Sequence, residues 1–418
     1  MGRGGRMSVT SLRNLRTFTS FKNRVFRIYF LAMLGQMAGM NMQMFARSFL
    51  VYRLTESFQP LGVLALANAL PMLLFSLFGG VIADRIQKKY VLLAGQAGSA
   101  VISVAVALTL TFGYLSADRP NSWLILVVAA LAQGTIMGLM MPSRQAIIRE
   151  IVGEEDLMNA VSLNSLGMNL LRLAGPALAG FLAASFGYAA VYYTMTGMYV
   201  WAFALALFLP LTGTMSLRGQ GVFADIREGF QYVWRTIIIR YVLLITLFTV
   251  LLSMPYQMLL PGFVIEVLKQ DEGMGGILMM VSGVGAVIGS LVLASLPNKK
   301  RGLLFMGTSI LLAVALLGFS LSHWLYVSMV VIVFVGVGQA GRMALGSTLL
   351  QYYAAPEYRG RVMSFMMMEF GLTSFSVFFA AMVAESFGVQ WAVGGLAALL
   401  LVLSIAVLVL SPRTRQLQ

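Results

Sequence analysis

Long apolar runs follow one another along almost the whole chain, and they limit the possible folds more than any other feature. A helix needs roughly 20 mainly apolar residues to cross the hydrocarbon core of a bilayer. Runs of about that length recur here, with short polar segments between them. We predict twelve membrane-spanning helices, called spans 1 to 12, at residues 27–51, 59–83, 91–115, 122–142, 157–185, 188–212, 239–262, 272–297, 302–321, 324–347, 362–386 and 389–411.

The composition agrees with lipid as the main solvent. Apolar residues make up 59% of the 418 residues and charged residues only 11%, whereas soluble domains carry about 25% charged residues. A transmembrane β-barrel would show short alternating segments rather than continuous runs. The chain has no cysteine, which excludes a disulfide framework and thiolate metal sites. The fold class that we predict is an all-α membrane protein.

The distribution of basic residues predicts the orientation in the membrane. The segments on the side of the chain termini hold 23 Lys and Arg residues, whereas the opposite side holds only Arg53, Arg119 and Lys269. Basic residues collect on the cytoplasmic side. We expect a multi-pass protein of the cytoplasmic (inner) membrane with both termini in the cytoplasm. This bias also explains the net charge of +14, so we expect no nucleic-acid partner.

An internal repeat relates the two halves of the chain. AASFG at 183–187 corresponds to AESFG at 384–388, and similar polar loops follow spans 4 and 10. A same-direction repeat of half the chain is typical of transporters with a central path. The predicted parts are a basic tail (1–25), a six-helix half (26–212), a central loop with the amphipathic stretch FADIREGFQYVWR (213–238), a second six-helix half (239–411) and a short tail (412–418).

The apolar residues at 11–25 recur every three to four positions among basic residues. Two readings stay open for this part of the tail. It is either an interfacial helix that lies on anionic lipid or a disordered basic segment.

The loop between spans 2 and 3 resembles a signature of the major facilitator superfamily. GVIADRIQKKYVL at 80–92 is similar to the family pattern G-x-L-A-D-R-x-G-R-K. The matching residues, which we call the gate loop, are Gly80, Asp84, Arg85, Lys88 and Lys89, with Gln87 in place of a glycine. The resemblance implies a cytoplasmic gate, in which we expect Arg144 to be the charged partner of Asp84.

Span 5 carries a second family resemblance. GPALAG at 175–180 is similar to the antiporter motif of exporters in this superfamily, on the strength of Gly175, Pro176 and Gly180. Small residues and a proline also occur in membrane helices for packing alone. From LVYRLTES to PEYRGRVMS, the order of motifs resembles the branch that contains enterobactin exporters and macrolide efflux proteins. The resemblance extends over residues 25–410 and implies twelve spans in two six-helix pseudo-repeats.

One position departs from the drug–proton antiporters of this superfamily. Their span 4 carries an arginine in R-x-x-Q-G, whereas Ala130 holds that place here, before Gln133 and Gly134. A coupling mechanism that depends on this arginine therefore does not transfer to the chain.

Ionisable and polar residues within spans mark candidate functional positions, because charge in hydrocarbon is costly. Gln36, Gln43 and Arg47 share one face of span 1, and we expect them either to line a cavity or, for Arg47, to reach the outer interface. Asn169 and Arg172 share a face of span 5, where we expect Arg172 to bind an anionic substrate or to pair with a carboxylate.

Arg342 in span 10 and Glu369 in span 11 form the second group of ionisable residues. The two are expected at similar depth in neighbouring helices. They are either a static salt bridge or, if transport is proton-driven, a site where Glu369 carries the proton. Gln133 and Gln257 complete the candidate cavity and coupling residues, although helix–helix hydrogen bonding explains them equally well.

These features predict a secondary active transporter that exports amphipathic small molecules, such as drugs, macrolides or siderophores, by alternating access with proton coupling. Uptake or lipid flipping by the same fold, and a membrane receptor or scaffold without transport, are the alternatives. No nucleophile with a base, phosphate loop or metal-ligand cluster is apparent, so we do not expect an enzyme, a metal or a cofactor. The expected energy source is the proton gradient. The expected partners are the substrate and membrane lipids, with the chain as a monomer.

Overall fold

The computed structural model describes residues 16–153, 156–211, 222–296 and 300–410. Every regular element within these ranges is helical. The described part of the basic tail begins with a short 3-10 helix at Arg16–Lys22. Its Ser20 is buried, and the backbone N–H of Ser20 donates to Asn159 Oδ1 at 3.0 Å. The earlier part of the tail and the C-terminal tail 412–418 lie outside the described residues.

The N-terminal half contains spans 1 to 6. Asn23 caps span 1 by accepting from the backbone N–H groups of Val25 and Phe26. Spans 5 and 6 form one run of helical hydrogen bonding that is interrupted at Gly187, whose φ of +80° favours glycine. The observed bounds are span 1 Arg24–Thr55, span 2 Gln59–Arg85, span 3 Lys88–Thr111, span 4 Leu124–Ile151, and spans 5 and 6 within Leu157–Ala206.

The C-terminal half begins after an amphipathic helix at Val222–Arg235, which we call the linker helix. Span 7 consists of three consecutive pieces, since Pro255 begins a new helix and a π-helical turn follows Pro261. The observed bounds are span 7 Ile237–Ser253, Pro255–Gly262 and Phe263–Val267, span 8 Glu272–Ser295, span 9 Arg301–Leu321, span 10 Leu325–Tyr353, span 11 Arg359–Phe387 and span 12 Val389–Leu410.

The helices are long and apolar enough to cross a membrane, with one informative exception. Ten stretches of the described chain satisfy length and hydropathy for a crossing, and one of them, Leu157–Ala206, holds spans 5 and 6 together. Span 1 is not among them, because its 32 residues include several polar and charged side chains and have a low mean hydropathy. Its 48 Å length, at 1.5 Å per residue, is nevertheless ample.

The two halves repeat the same helix packing, which confirms the predicted pseudo-repeat. Spans 2 and 4 pack together as spans 8 and 10 do, and spans 3 and 6 correspond to spans 9 and 12. Both span pairs depend on glycine for a close approach. A Cβ at Gly134 would lie 2.1 Å from the carbonyl oxygen of Asn68, and one at Gly336 would lie 1.8 Å from that of Ser282. The halves meet along spans 5 and 8 and along spans 2 and 11.

Candidate functional site

The described chain begins and ends at the same end of the bundle, here called the terminal end, and the opposite end is called the distal end. At the distal end, Glu272 at the start of span 8 receives two donors from the other half. Arg53 Nε lies 3.1 Å from Glu272 Oε1, and Tyr188 OH donates to the same oxygen at 3.1 Å. Glu272 is buried while Arg53 remains more than half exposed. This contact therefore joins the two halves at the distal end, with Arg53 at the surface and Glu272 in the interior.

Two further carboxylates complete this closure, which we call the distal seal (Tyr52, Arg53, Ser57, Phe58 and Tyr188 with Glu266, Glu272 and Glu385). Tyr52 OH donates to Glu266 Oε1. Glu385 Oε2 accepts from the Ser57 hydroxyl at 3.0 Å and from the Phe58 backbone N–H at 2.7 Å. All three carboxylates belong to the C-terminal half and all donors to the N-terminal half. Hydrogen bonds to ionised carboxylates are about twice as strong as neutral ones, so charge-assisted hydrogen bonds and one ion pair hold the seal.

The antiporter-like motif of span 5 lies beneath the distal seal, at the contact with span 8. Gly175, Pro176 and Gly180 are all buried. A Cβ at Gly180 would lie 2.6 Å from the Glu272 carbonyl oxygen, and one at Gly276 would lie 2.6 Å from that of Pro176. The motif therefore provides the close backbone approach that joins the two halves.

The polar face of span 1 is enclosed within the N-terminal half, so Arg47 does not reach an interface as one reading allowed. Gln36 donates to Met140 Sδ of span 4 at 3.4 Å. Gln43 Oε1 accepts from Tyr199 OH of span 6 at 3.3 Å. Arg47 is 8% exposed and donates to Asn68 Oδ1 of span 2 at 3.4 Å. These contacts place the polar face of span 1 against spans 2, 4 and 6 of the N-terminal half.

The gate loop is described only in part, since the helical backbone alone is described at Gly80 and Asp84. The predicted pairing of Asp84 with Arg144 therefore lies outside the described side chains. Arg85 is exposed, whereas Lys88 Nζ lies 2.6 Å from Glu150 Oε1 and thereby joins the start of span 3 to the end of span 4. Lys89 Nζ donates to the Leu207 carbonyl at 2.7 Å.

Two residues around the gate loop have well-defined surroundings. Gln87 has a φ of −55°, so the turn needs no left-handed residue at the position where the family pattern has glycine. Arg144 is buried, and its Nη1 lies 3.6 Å from Met37 Sδ. Together with Tyr29, Gln36 and Gln96 it lines a small internal cavity of the N-terminal half.

The candidate residues of spans 4 and 5 differ in their accessibility. Gln133 is buried and donates to Ser99 Oγ of span 3 at 3.1 Å. Ala130 is fully buried, so a small apolar side chain is packed at the position where the drug–proton antiporters carry an arginine. Asn169 and Arg172, in contrast, lie on an exposed face of span 5. The charge of Arg172 is thus exposed rather than enclosed within its own half.

Arg342 and Glu369 are both buried in the C-terminal half, but they do not form a direct salt bridge between described atoms. Glu369 Oε1 accepts instead from Thr246 Oγ1 of span 7 at 2.7 Å. Glu369 Oε2, Arg342 Nε and Arg342 Nη1 have no hydrogen-bond partner among the described groups. Gln257 Nε2 donates to Gln339 Oε1 at 3.4 Å and links span 7 to span 10.

The distal seal is the part of the site that sequence reasoning missed. The structure places Glu266 in the π-helical continuation of span 7, and Glu272 is buried at the first residue of span 8. Glu266 falls in the predicted loop between spans 7 and 8, because the apolar run of span 7 ends at about residue 262, whereas Glu272 falls at the first residue of predicted span 8. The clustering of acids at the distal ends of C-terminal spans was the available signal.

Two pseudo-symmetric six-helix halves, sealed to each other at one end around buried polar residues, define a membrane transporter of the major facilitator class. Residues 15–416 match the family described as transmembrane secretion effectors, and the chain belongs to that family. The resemblance stated from the sequence is thereby confirmed. The chain is a multi-pass membrane transporter for small molecules and not an enzyme.

Several characterised proteins are similar over most of their length. The staphyloferrin A transporter of Staphylococcus aureus is 25% identical over 79% of this chain and 82% of its own. The multidrug efflux pump Tap of Mycobacterium tuberculosis is 27% identical over 79% of both chains. The pump of the same name from Mycolicibacterium fortuitum is 25% identical over 91% of this chain and 94% of its own.

Solved structures confirm the fold. A bacterial homologue of the human lysosomal transporter Spinster, in an inward-facing and unoccupied conformation, has a TM-score of 0.74 at 13% identity and covers 94% of this chain and 98% of its own. A D-xylose–proton symporter has a TM-score of 0.73 at 13% identity, with the same coverage. At such low identity the likeness concerns the arrangement of the helices alone.

Proposed function

We propose that this protein exports amphipathic small molecules from the cytoplasm across the cytoplasmic membrane by alternating access, as a monomer with both termini in the cytoplasm. The orientation rests on the excess of basic residues in the segments at the terminal end. We propose a monomer because a single chain supplies both halves and the space between them.

The distal seal is the observation that carries the proposal. The polar contacts that join the halves between described side chains lie at the distal end, which is the external side in the proposed orientation. Arg172 remains exposed although it lies roughly 22 Å along span 5 from its terminal end. Distal closure together with an exposed cation deep in span 5 supports a state that receives its substrate from the cytoplasm.

Export, rather than uptake or lipid flipping, is supported by two independent features. The antiporter-like motif forms the span 5–span 8 contact, which is where the halves must separate when the distal end opens. Tap proteins, similar over most of the chain, are multidrug efflux pumps. The staphyloferrin A transporter adds siderophores to the candidate substrates.

Glu369 is the residue that we propose for proton coupling. It is buried at the boundary of spans 7 and 11, and one of its oxygens has no partner among the described groups. Since spans 7 and 10 supply its neighbours Thr246 and Arg342, a relative movement of these helices changes the surroundings of its carboxyl group. Such a change alters the affinity for a proton.

Flux in inverted membrane vesicles tests the direction and the coupling together. We expect vesicles that contain the protein to accumulate at least one of ethidium, erythromycin and carboxyfluorescein when a proton gradient is imposed, and nigericin to abolish the accumulation. Glu369→Gln should lose gradient-driven accumulation while it retains exchange of labelled for unlabelled substrate. Accumulation only in right-side-out vesicles would overturn export, and full gradient-driven flux in the variant would overturn the role of Glu369.

A further inference from the structure

The linker helix packs one face against span 11 and leaves the other face exposed. Gly229 is buried, and a Cβ at this position would lie 3.1 Å from Arg361 Cβ of span 11. Arg227, Phe230 and Trp234 recur at spacings of three and four residues, so they share a face on the other side of the helix. Phe230 and Trp234 are 52% and 55% exposed, and their ring centres lie 5.8 Å apart. An aromatic pair beside a basic residue thus forms the outer surface of the linker helix.

Trp234 lies beside the first turn of span 7, where the chain enters the bilayer. The linker helix ends at Arg235 and span 7 begins at Ile237. Arg240 Nη1 donates to the Trp234 carbonyl at 3.2 Å, and the guanidinium carbon lies 5.3 Å from the centre of the Trp234 ring. Ile237 and Ile238 are exposed at the start of this apolar span, where lipid covers them. The rings of the linker helix therefore continue the lipid-facing surface of span 7, at the depth where tryptophan is enriched.

The same surface carries positive charge that no described carboxylate neutralises. Arg227 and Arg235 are exposed, and neither they nor Arg240 forms an ion pair with a described side chain. Glu228 pairs instead with Arg361 on the side of span 11. Guanidinium groups bind phosphate with paired hydrogen bonds, and the cytoplasmic leaflet of a membrane is negatively charged. Charge complementarity thus favours an anionic lipid as the partner of this surface.

We propose that the outer surface of the linker helix binds anionic phospholipid of the cytoplasmic leaflet. The rings of Phe230 and Trp234 enter the boundary between headgroups and acyl chains. The guanidinium groups of Arg227, Arg235 and Arg240 bind the lipid phosphates. Amphipathic helices with aromatic residues on one side and basic residues beside them lie in the plane of the membrane surface in this way. The inference uses the proposed orientation of the chain and is independent of export.

Lipid binding at this surface also holds the start of span 11. Glu228 joins the opposite side of the linker helix to Tyr358 and Arg361, so the helix lies between the leaflet and span 11. A phospholipid held by the arginines therefore fixes the connection between the two halves at the membrane surface.

The depth of a spin label tests whether lipid covers the aromatic face, in the full-length protein in vesicles of phosphatidylcholine and phosphatidylglycerol. The chain has no native cysteine, and Gln231 is exposed beside Phe230. We expect a nitroxide on Gln231→Cys to be relaxed at least twofold more by oxygen, which concentrates in lipid, than by a water-soluble nickel chelate. Glu357→Cys, exposed in the loop before span 11, is the matched control and should show the opposite order.

The other two outcomes of this measurement identify a different cover. A greater effect of nickel than of oxygen at Gln231→Cys would show that water covers the face. Weak effects of both reagents would show that protein covers it, such as a second copy of the chain. Either result would overturn the inference.

Brominated lipids test the preference for an anionic headgroup. The quenching of Trp234 is the difference between the unmodified protein and Trp234→Phe. We expect brominated phosphatidylglycerol to quench Trp234 at least twofold more than the same fraction of brominated phosphatidylcholine. Arg227→Gln/Arg235→Gln should abolish this preference. Arg119→Gln/Lys269→Gln, which removes two exposed charges at the distal end, is the matched control and should retain it.

Equal quenching of Trp234 by the two lipids in the unmodified protein would overturn the proposed anionic site. The same holds if Arg227→Gln/Arg235→Gln keeps the full preference. Both measurements are made without flux, so a failure of export in vesicles is a separate outcome.

Discussion

At the scale of single residues, glycines decide how closely the two halves approach each other. Gly180 and Gly276 face each other across the contact of spans 5 and 8, and a Cβ at either position would lie within 2.6 Å of a carbonyl oxygen of the opposite helix. Backbone atoms cannot move aside as the end of a side chain can. In membranes, where lipid is as apolar as the side chains, such close packing is a main source of helix association.

Gly180→Ala is expected to loosen the distal seal. The added methyl group meets the Glu272 carbonyl oxygen and the Gly276 backbone, and overpacking of this kind costs about 1–3 kcal/mol. The measurement is the rate at which a membrane-impermeant maleimide labels Ala183→Cys, a buried position near the seal. We expect a several-fold faster rate, and the chain has no native cysteine to give a background.

Gly197→Ala is the matched control for that substitution. It makes the same change in the same continuous helical run, but a Cβ there meets nothing within 4 Å. The labelling rate at Ala183→Cys should stay unchanged in this control. An equal rate in the two glycine variants would contradict the proposed role of the close contact.

At the scale of elements, the linker helix is attached to the C-terminal half by its polar side chains. Glu228 Oε1 accepts from Tyr358 OH at 2.9 Å, and Arg361 Nη1 lies 2.9 Å from Glu228 Oε2. The Tyr232 ring stacks on the Tyr358 ring at 4.0 Å, and the Ala355 N–H donates to Tyr232 OH at 2.9 Å. The connection between the halves therefore moves with the start of span 11.

The attachment of the linker helix should depend on pH only in acid and in strong base. Hydrogen bonds from Tyr358 and Arg361 lower the pKa of Glu228 below its ordinary value, and the hydrogen bond to Glu228 raises the pKa of Tyr358. The contribution of Glu228 is thus fully present above the ordinary carboxyl range and is lost as pH falls through the lowered pKa. The contribution of Tyr358 is present below its ordinary pKa and is lost as pH rises through the raised one.

Hydrogen–deuterium exchange of the amides at 222–235 checks this pH dependence. After correction for intrinsic rates, we expect constant protection from about pH 5 to pH 9 and a loss below about pH 4. Glu228→Gln should show reduced protection throughout that range. Because the pair is exposed, high salt should weaken it in the unmodified protein. Protection that is equal in the variant and the unmodified protein would show that the aromatic stacking alone holds the helix.

At the scale of the whole molecule, each half is a packed unit, and the contacts between the halves decide which end is closed. The described polar contacts between the halves are hydrogen bonds and an ion pair at the distal end. Closing the terminal end requires these contacts to break, since the two halves turn against each other as rigid bodies.

A cross-link across the distal seal should therefore stop transport. Ser57 and Glu385 lie in opposite halves and share a hydrogen bond at an exposed position. We expect Ser57→Cys/Glu385→Cys, joined by a short bifunctional thiosulfonate, to lose at least tenfold in flux and to recover it after reduction.

The matched control for this cross-link lies within the N-terminal half. Thr111 Oγ1 and Tyr193 OH are 3.1 Å apart at an exposed position. Thr111→Cys/Tyr193→Cys, cross-linked with the same reagent, should retain its flux. Unchanged flux in the cross-linked distal pair would exclude opening of the distal end as a step of transport.

Much of the fold was predictable because each membrane-spanning helix needs a long apolar run, which can be recognised in the sequence. The start of span 2 at residue 59, that of span 8 at residue 272 and the end of span 9 at residue 321 agree with the predicted positions, since a change from apolar to polar residues marks them. Spans 4 and 10 extend further into polar sequence than predicted, to Ile151 and Tyr353. Helical hydrogen bonds are made within the backbone and continue past the apolar run, so hydropathy alone does not mark where these helices end.

The sequence by itself determined the spans, the repeat and the family, because hydropathy and motif spacing are local properties of the chain. Only the tertiary structure decided which polar groups meet. Gln36, Gln43 and Arg47 turned inward to spans of their own half, and Glu369 bonded to Thr246 rather than to Arg342. All contacts of the distal seal except that of Tyr188 with Glu272 join residues more than 200 positions apart. Hydrogen bonds over such separations depend on how the two halves pack, which local patterns do not encode.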